Sequence, residues 1–135
     1  EEIGMAIIWI THDLGVVAGL ADRVIVMYAG CIIEEAPVKE LYHNPCHPYT
    51  IGLLGSLPRL DEEERPRELQ SIEGLPPDLI DYPKGWPFYV RCNYRLDRCL
   101  ESPPPLESVG VGHKSACYVD VKTAQPTTEH PYQEV

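Results

Sequence analysis

The decisive stretch of this sequence is Met5-Ala6-Ile7-Ile8-Trp9-Ile10-Thr11-His12-Asp13, an apolar run that ends on three polar residues. Six consecutive apolar residues without alternation are typical of a strand that is buried on both faces of a parallel sheet. Asp13 is a preferred helix N-cap residue, and the sequence after it predicts a helix from about Leu14 to Ala21. We therefore expect His12 at the carboxyl end of a buried strand, immediately before a helix N-terminus.

This position suits ligand binding, because ligands of open α/β sheets bind outside the carboxyl ends of the strands. An imidazole at this edge can contact a phosphate group and stabilise its charge. For a lone histidine at a strand end, a purely structural role is the preferred interpretation. The sequence that follows His12 is therefore needed to choose between phosphate contact and a structural role.

The composition excludes several classes of partner. The 135 residues contain 11 Lys and Arg against 21 Asp and Glu, which gives a net charge of −10. This balance argues against binding to nucleic acid or directly to anionic lipid, since both require clustered basic residues. The longest apolar run, Met5 to Ile10, is far shorter than the ~20 residues of a membrane span. Any membrane association is expected to come through a partner protein.

The chain opens with Glu1-Glu2-Ile3-Gly4, which lacks the basic and long apolar regions of a signal peptide. These residues are typical of the last turn of a helix that ends with a glycine at C′. We therefore expect the chain to start inside a domain and to be a fragment of a longer protein.

Residues 1–57 contain nearly all of the periodic apolar segments. A two-residue turn at Ala29-Gly30 predicts a hairpin, and Pro37 and Pro48 are placed as at the start of helices. The predicted elements of this part are strands over Arg23–Tyr28 and Cys31–Glu34, and short helices over Pro37–Tyr42 and Tyr49–Ser56.

The rest of the chain is irregular and holds most of the 14 prolines. Residues 58–82 are predicted to form an acidic, proline-rich linker in which Glu68–Ile72 is a candidate short strand. Residues 83–121 carry three cysteines and no helix or strand period, which predicts a small, loop-rich module. Residues 122–135 are expected to form a disordered tail.

Three blocks of the sequence resemble a known family. The last part of an ATP-binding-cassette (ABC) ATPase domain is similar to Ile8-Trp9-Ile10-Thr11-His12-Asp13-Leu14 followed by Ala21-Asp22-Arg23-Val24-Ile25-Val26-Met27-Tyr28-Ala29-Gly30. The segment after this core in bacterial oligopeptide and dipeptide importer ATPases resembles His43-Asn44-Pro45-Cys46-His47-Pro48-Tyr49-Thr50. The C-terminal extension of those subunits resembles Gly85 to Cys117. Together the blocks cover about nine tenths of the chain.

The resemblance implies an α/β fold, the C-terminal part of an ABC-type P-loop NTPase domain followed by a small, loop-rich, cysteine-containing extension. It implies that His12 is the switch histidine that contacts the γ-phosphate of ATP. Asp13 is better explained as a helix cap than as a catalyst. The implied cofactors are ATP and Mg²⁺.

The resemblance also implies a place in a transport complex. Its partners would be a second ATPase subunit, transmembrane permease subunits and, indirectly, a substrate-binding protein. The complex would take up peptides, with this subunit peripheral at the cytoplasmic face of the bacterial inner membrane.

Several nucleotide-binding motifs of the family are absent from this sequence. It contains no G-x-x-x-x-G-K-[ST] loop, and neither the Mg²⁺-binding Asp with its catalytic Glu nor the glycine-rich signature loop. Glu1 and Glu2 follow no apolar strand and are not the catalytic Glu. We therefore expect the intact parent to hydrolyse ATP and this chain alone to be inactive.

The cysteines of the irregular module are candidate metal ligands. Cys92, Cys99 and Cys117 are spaced C-x6-C-x17-C in a segment with little hydrophobic core of its own. Such segments need a cross-link, either a disulfide or a bound metal, to be stable. Thiolates in a cytosolic protein indicate a metal more than a disulfide. The family extension resembles a four-cysteine iron–sulfur site, but its first cysteine position is Trp86 here, and tryptophan cannot ligate iron or zinc.

Three outcomes follow for this site. An iron–sulfur cluster persists on three thiolates with an outside ligand, zinc binds the three cysteines with His113 as fourth ligand, or Trp86 fills the space and the site is lost. Cys31 and Cys46 have no ligand-spaced neighbours and are interpreted as ordinary residues. His43 and His47 are interpreted as polar loop residues.

Two other functions remain open at this point. The chain would be a non-enzymatic metal-binding or protein-interaction module if residues 83–121 dock on a partner and the first part is only their scaffold. It would also fit an ABC subunit that imports nickel or another small solute, because the cargo is chosen by other subunits of such a complex.

Overall fold

The computed structural model describes residues 4–57 and 72–126, which form a small α/β unit. The strands are β1 Arg23–Tyr28, β2 Cys31–Pro37, β3 Glu107–Gly110, β4 His113–Ser115, β5 Val119–Asp120 and β6 Gln125–Pro126. The helices are α1 Leu14–Leu20, α2 Val38–His43, α3 Pro48–Gly55 and α4 Arg98–Glu101, with a 3₁₀ turn at Tyr89–Arg91. Within this described part, no helix has the length and apolar character needed to cross a membrane.

The β1–β2 hairpin follows from the alternation of side chains along β1. Val24, Val26 and Tyr28 are buried, and the residues between them are exposed. Ala29 and Gly30 form the turn with φ of 48° and 82°, the left-handed backbone that two-residue hairpin turns favour. The predicted hairpin is confirmed, with β2 extending beyond the predicted Glu34 to Pro37.

The sheet that begins with this hairpin is completed from the irregular module. Its strand order is β1-β2-β4-β3, all antiparallel, and Glu34 on β2 lies opposite Ser115 on β4. The expectation that residues 83–121 carry no regular strand is wrong. Strands of four and three residues, as in β3 and β4, are too short to display the alternation by which a strand is predicted.

The hydrophobic core draws on both parts of the described chain. Ile33 and Ala36 on β2 are fully buried, and Phe88 from the module is 2% exposed. Its ring meets those of Tyr28 and Tyr49 edge-on, with centroids 5.1 and 5.5 Å away. Each such aromatic pair contributes about 0.5–1.5 kcal/mol beyond the burial of its area. The aromatic residues of the module therefore pack on the hairpin.

The apolar run 5–10 does not form the predicted buried strand. Ile8 and Ile10 are 92% and 93% exposed, and none of the described strands pairs with the run. A strand needs hydrogen-bonded neighbours, and a parallel neighbour reaches it only through a crossover connection. The described strands are antiparallel and lie elsewhere, so the run has the composition of a buried strand without its partners.

The predicted helices are confirmed to within one residue at each end. The Asp13 side chain caps α1, because its Oδ1 accepts the backbone N–H of Val16 at 3.2 Å. Pro37 occupies the N-cap of α2, and His47 that of α3.

Part of the predicted organisation lies outside the described residues. This holds for residues 58–71, which include most of the candidate strand Glu68–Ile72, and for residues 127–135 of the predicted tail. Within the predicted tail, Gln125–Pro126 pairs with Val119–Asp120 as a two-stranded ladder.

Replacing Gly85 by alanine is expected to destabilise the protein more than replacing Gly30, its matched control. The two glycines have φ of 81° and 82°, so alanine meets a similar backbone cost of about 1–3 kcal/mol at either position. At Gly85 the new Cβ would also lie 2.6 Å from the carbonyl oxygen of Leu100, whereas nothing lies within 4 Å at Gly30. Urea denaturation measures both losses, and equal losses would contradict the close packing of Gly85 on Leu100.

Candidate functional site

A buried carboxylate, that of Glu34, is the polar centre of the described structure. The paired residues change register between Val26 and Met27, so that Ile33 of β2 is an extra residue opposite β1. Such a bulge re-aims the side chains around it. Ile33 and Glu34 are consequently both fully buried, although alternation would expose one of them.

The Glu34 carboxylate accepts hydrogen bonds from three directions. Its Oε1 accepts the backbone N–H of Cys46 at 2.6 Å, and its Oε2 accepts that of His47 at 3.1 Å. Its Oε1 also lies 2.7 Å from Nε2 of His113, which is 2% exposed. Buried carboxylates require such compensation because losing water costs several kcal/mol. The bonds join β2, the loop before α3, and β4.

Cys46 completes a group of three ligand-type side chains. One ligand atom each from Glu34, Cys46 and His113 lies within 4.8 Å of the other two. Burial raises the pKa of the Cys46 thiol, and the negative charge of Glu34 raises it further. The thiol donates to the carbonyl of Asn44 at 3.3 Å. Cys46 has no ligand-spaced neighbour in the sequence, but the fold brings Glu34 and His113 close to it from distant parts of the chain.

His47 is a buried cap rather than a polar loop residue. It is 1% exposed, and its Nδ1 accepts the backbone N–H of Tyr49 at 3.1 Å. The ring packs near those of Trp86 and Phe88, with centroids 6.1 and 5.7 Å away. Burial lowers the pKa of His47 from 6.5 to about 3, so it is neutral at physiological pH with its proton on Nε2. His43, by contrast, is exposed, with Nδ1 2.7 Å from the Lys39 carbonyl.

His12 is exposed at the start of α1. It is flanked by a polar turn in which the backbone N–H of Asp13 donates to Thr11 Oγ1 at 3.0 Å. Within the described residues, His12 makes no side-chain hydrogen bond or ion pair. The predicted phosphate contact thus remains a prediction for this accessible imidazole.

The three cysteines of the module are free thiols. Among the described residues, Glu34, Cys46 and His113 form the one group of three ligand atoms that lie within 4.8 Å of one another, so the three sulfurs of the module are not gathered this closely. Burial, with smaller contributions from Cys92 and Cys99, raises the pKa of Cys117 to about 11. Backbone N–H groups donate to two of the sulfurs, from Tyr94 to Cys92 at 3.3 Å and from Val119 to Cys117 at 3.5 Å. N–H···S bonds are among the interactions by which proteins tune metal-bound sulfur.

These residues do not fit a four-thiolate site. Trp86 occupies the expected position of the first cysteine, is 6% exposed, and donates its backbone N–H to the carbonyl of Cys99 at 2.8 Å. His113, the alternative fourth ligand, instead directs Nε2 to Glu34. The donor set at the module is therefore three thiols beside a packed indole.

Acidification is expected to destabilise the protein through His47. The unfolded chain takes up a proton near pH 6.5, whereas the folded protein resists protonation down to a pKa of about 3. Stability present above pH 6.5 is therefore lost as pH falls through this window, by up to about 1.4 kcal/mol per pH unit. In His47→Asn the amide oxygen can still accept the Tyr49 N–H but does not titrate.

Urea denaturation at about pH 7 and about pH 5 measures the effect. His47→Asn is expected to lose less stability between the two conditions than the unmodified protein. An identical pH dependence for both proteins would contradict the neutral, buried state of His47.

Comparison with known proteins agrees with the resemblance seen in the sequence. Residues 33–99 match the family described as oligopeptide/dipeptide transporter, C-terminal region. The chain is 48% identical over 121 residues to a peptide import ATP-binding protein of Brucella ovis, an alignment that covers 87% of this chain and 36% of the relative. It is 47% identical over 122 residues to the oligopeptide transport ATP-binding protein OppD of Salmonella typhimurium, covering 90% and 36%.

A third relative is OppD of Mycobacterium tuberculosis, 49% identical over 114 residues, with 84% of this chain and 18% of the relative covered. The chain spans about a third of the length of the first two curated relatives it matches. Residues 33–99 of the chain therefore carry the C-terminal region of the oligopeptide/dipeptide transporter family, and most of the chain is similar to peptide import ATP-binding proteins.

Proposed function

We propose that this chain serves in the ATP-binding subunit of an ABC importer, which couples ATP binding and hydrolysis to peptide uptake across the bacterial inner membrane. The observation that carries the proposal is the similarity, along most of the chain, to proteins whose names specify peptide import and ATP binding. The nickel importer and the non-enzymatic module lack such support.

His12 is the residue of this chain proposed to act on the nucleotide. Phosphoryl transfer depends on positioning and on stabilising charge around the γ-phosphate, and an accessible imidazole next to a helix N-terminus suits both tasks. Asp13 is committed to the cap of α1 through its bond to Val16. The chemistry at this position is therefore assigned to His12 alone.

The rest of the nucleotide site is proposed to come from other parts of a P-loop NTPase domain. The apolar run 5–10 is exposed, as are Ile25 and Met27 on the outer face of β1. Exposed apolar surface of this kind marks an interaction site. We assign residues 5–10 to a strand in the parallel sheet of that domain, which would place His12 at the sheet edge where ATP and Mg²⁺ bind.

The wider assembly follows from the same proposal. A second ATPase subunit would complete the nucleotide sites, transmembrane permease subunits would receive the conformational change, and a substrate-binding protein would deliver the peptide. The subunit would sit peripherally at the cytoplasmic face of the membrane. Without a phosphate-binding loop in its sequence, the 135-residue chain by itself is proposed to hydrolyse no ATP.

The cysteine module is proposed as a separate metal-binding element with a reduced ligand set. Cys92, Cys99 and Cys117 would hold zinc or an iron–sulfur cluster only with a fourth ligand from outside the module, because Trp86 offers none. Iron and zinc analysis of anaerobically purified protein tests this element. No step of the ATPase cycle is assigned to it.

His12→Ala in the complete subunit is expected to reduce ATP hydrolysis and peptide uptake by at least about 100-fold, as for loss of one charge-stabilising group at a reacting centre. ATP affinity is expected to stay within a few-fold, since most binding contacts lie on other motifs. Uptake of labelled peptide and ATPase rates in reconstituted vesicles measure both effects.

The matched control is His43→Ala, which removes another exposed histidine. It is expected to leave uptake and hydrolysis unchanged. Full activity of His12→Ala would contradict the role assigned to His12, whereas equal losses in both variants would indicate a general structural effect.

A further inference from the structure

We propose that Glu34, Cys46 and His113 form a zinc site that does not use Cys92, Cys99 or Cys117. The site joins β2, the loop before α3, and β4. This inference does not rest on ATP binding or transport, and neither the family match nor the names of the relatives assign it.

The geometry of the three ligand atoms carries the proposal. Cys46 Sγ, His113 Nε2 and a Glu34 oxygen lie within 4.8 Å of one another. Zinc binds sulfur at about 2.3 Å and nitrogen or oxygen at about 2.0–2.2 Å, so tetrahedral ligands stand roughly 3.3–3.8 Å apart. Glu34 Oε1 and His113 Nε2, which lie 2.7 Å apart, would have to separate by about 1 Å to admit the metal. Thiolate, imidazole and carboxylate are all established zinc ligands.

The surrounding hydrogen bonds hold the backbone of the site in place. Glu34 Oε2 accepts the His47 N–H at 3.1 Å, and Oε1 accepts the Cys46 N–H at 2.6 Å while it lies 2.7 Å from Nε2 of His113. Ser115 Oγ donates to the Cys46 carbonyl at 3.1 Å and fixes the loop to β4. Outer contacts of this kind orient metal ligands and raise affinity.

The charges around Cys46 favour a cation. The carboxylates of Glu34, Asp120 and Glu40 repel negative charge on the Cys46 sulfur. The Lys122 ammonium is the one cation that acts against them. A divalent cation would remove this repulsion and stabilise the thiolate, with release of the thiol proton to solvent.

A cavity of about 240 Å³ gives access to the site. It is lined by Cys46, Ser115, Asp120 and Lys122, among others. Glu34 and His113 are buried and do not line this cavity. A fourth ligand, either water or the Asp120 carboxylate, can reach the metal from this side, as zinc sites with three protein ligands require.

The test measures zinc bound to the purified full chain by competition with a chromophoric chelator, after treatment with EDTA and a reductant. Cys46→Ser and His113→Gln are each expected to remove one zinc equivalent or to weaken it at least ~10-fold, since even loss of an outer-shell partner costs 10–100-fold. Both variants keep a polar side chain at their position, and thermal unfolding without metal checks that they fold.

Cys31→Ser is the matched control, because it removes another half-buried free cysteine that has no such neighbours, and it should bind zinc normally. Cys92→Ser distinguishes the proposed site from the module, since it should leave the equivalent lost in Cys46→Ser in place. Unchanged zinc binding in both Cys46→Ser and His113→Gln, or no zinc binding by the unmodified chain, would overturn the proposal. If one of the two variants fails to fold, the other decides.

Discussion

The fold depends on one buried carboxylate. Glu34 accepts hydrogen bonds from Cys46 and His47 and meets the imidazole of His113, so that a single side chain connects three distant segments. A charged group without water is costly unless it is fully paired, and a partner that loses it is left unsatisfied. The position of the loop before α3, and of β4 against the hairpin, is therefore tied to the state of this one group.

The bulge in β2 links the sequence of the hairpin to this interaction. It buries Ile33 and Glu34 in succession, which adds an apolar side chain to the core and a carboxylate to the polar centre. Beside it, Phe88 and Trp86 pack around His47. The module that follows the hairpin in sequence is thus attached to it by a paired strand, by an aromatic cluster and by a buried hydrogen bond between Glu34 and His113.

Local signals explain what could be predicted from the sequence. The hairpin turn at Ala29-Gly30 and the Asp13 cap depend on residues within a few positions, and both were predicted correctly. Glu34 and His113 stand 79 positions apart, and nothing in composition or spacing pairs them. The buried strand predicted for residues 5–10 is not formed for a related reason. The composition of this run indicates that it pairs with a sheet, but the pairing needs strands that the described residues do not provide.

The candidate functional residues also differ in whether local sequence could predict them. His12 was singled out by its place after an apolar run and by the family resemblance, and its phosphate contact remains a proposal. The group around Glu34 was missed, since Cys46 and His113 look ordinary until the sheet brings them together. The sequence shows only a glutamate, Glu34, next to the apolar Ile33. That pair indicates a buried carboxylate only once the bulge that buries both residues is known.

The most direct measurement of the central claim is a double-mutant cycle between Glu34 and His113. Unfolding free energies of Glu34→Ala, His113→Ala and the double variant, measured with EDTA present, give the coupling between the two side chains. A buried hydrogen bond to a carboxylate predicts a coupling of at least about 1.5 kcal/mol. A coupling indistinguishable from zero would contradict the account that this carboxylate joins the module to the hairpin.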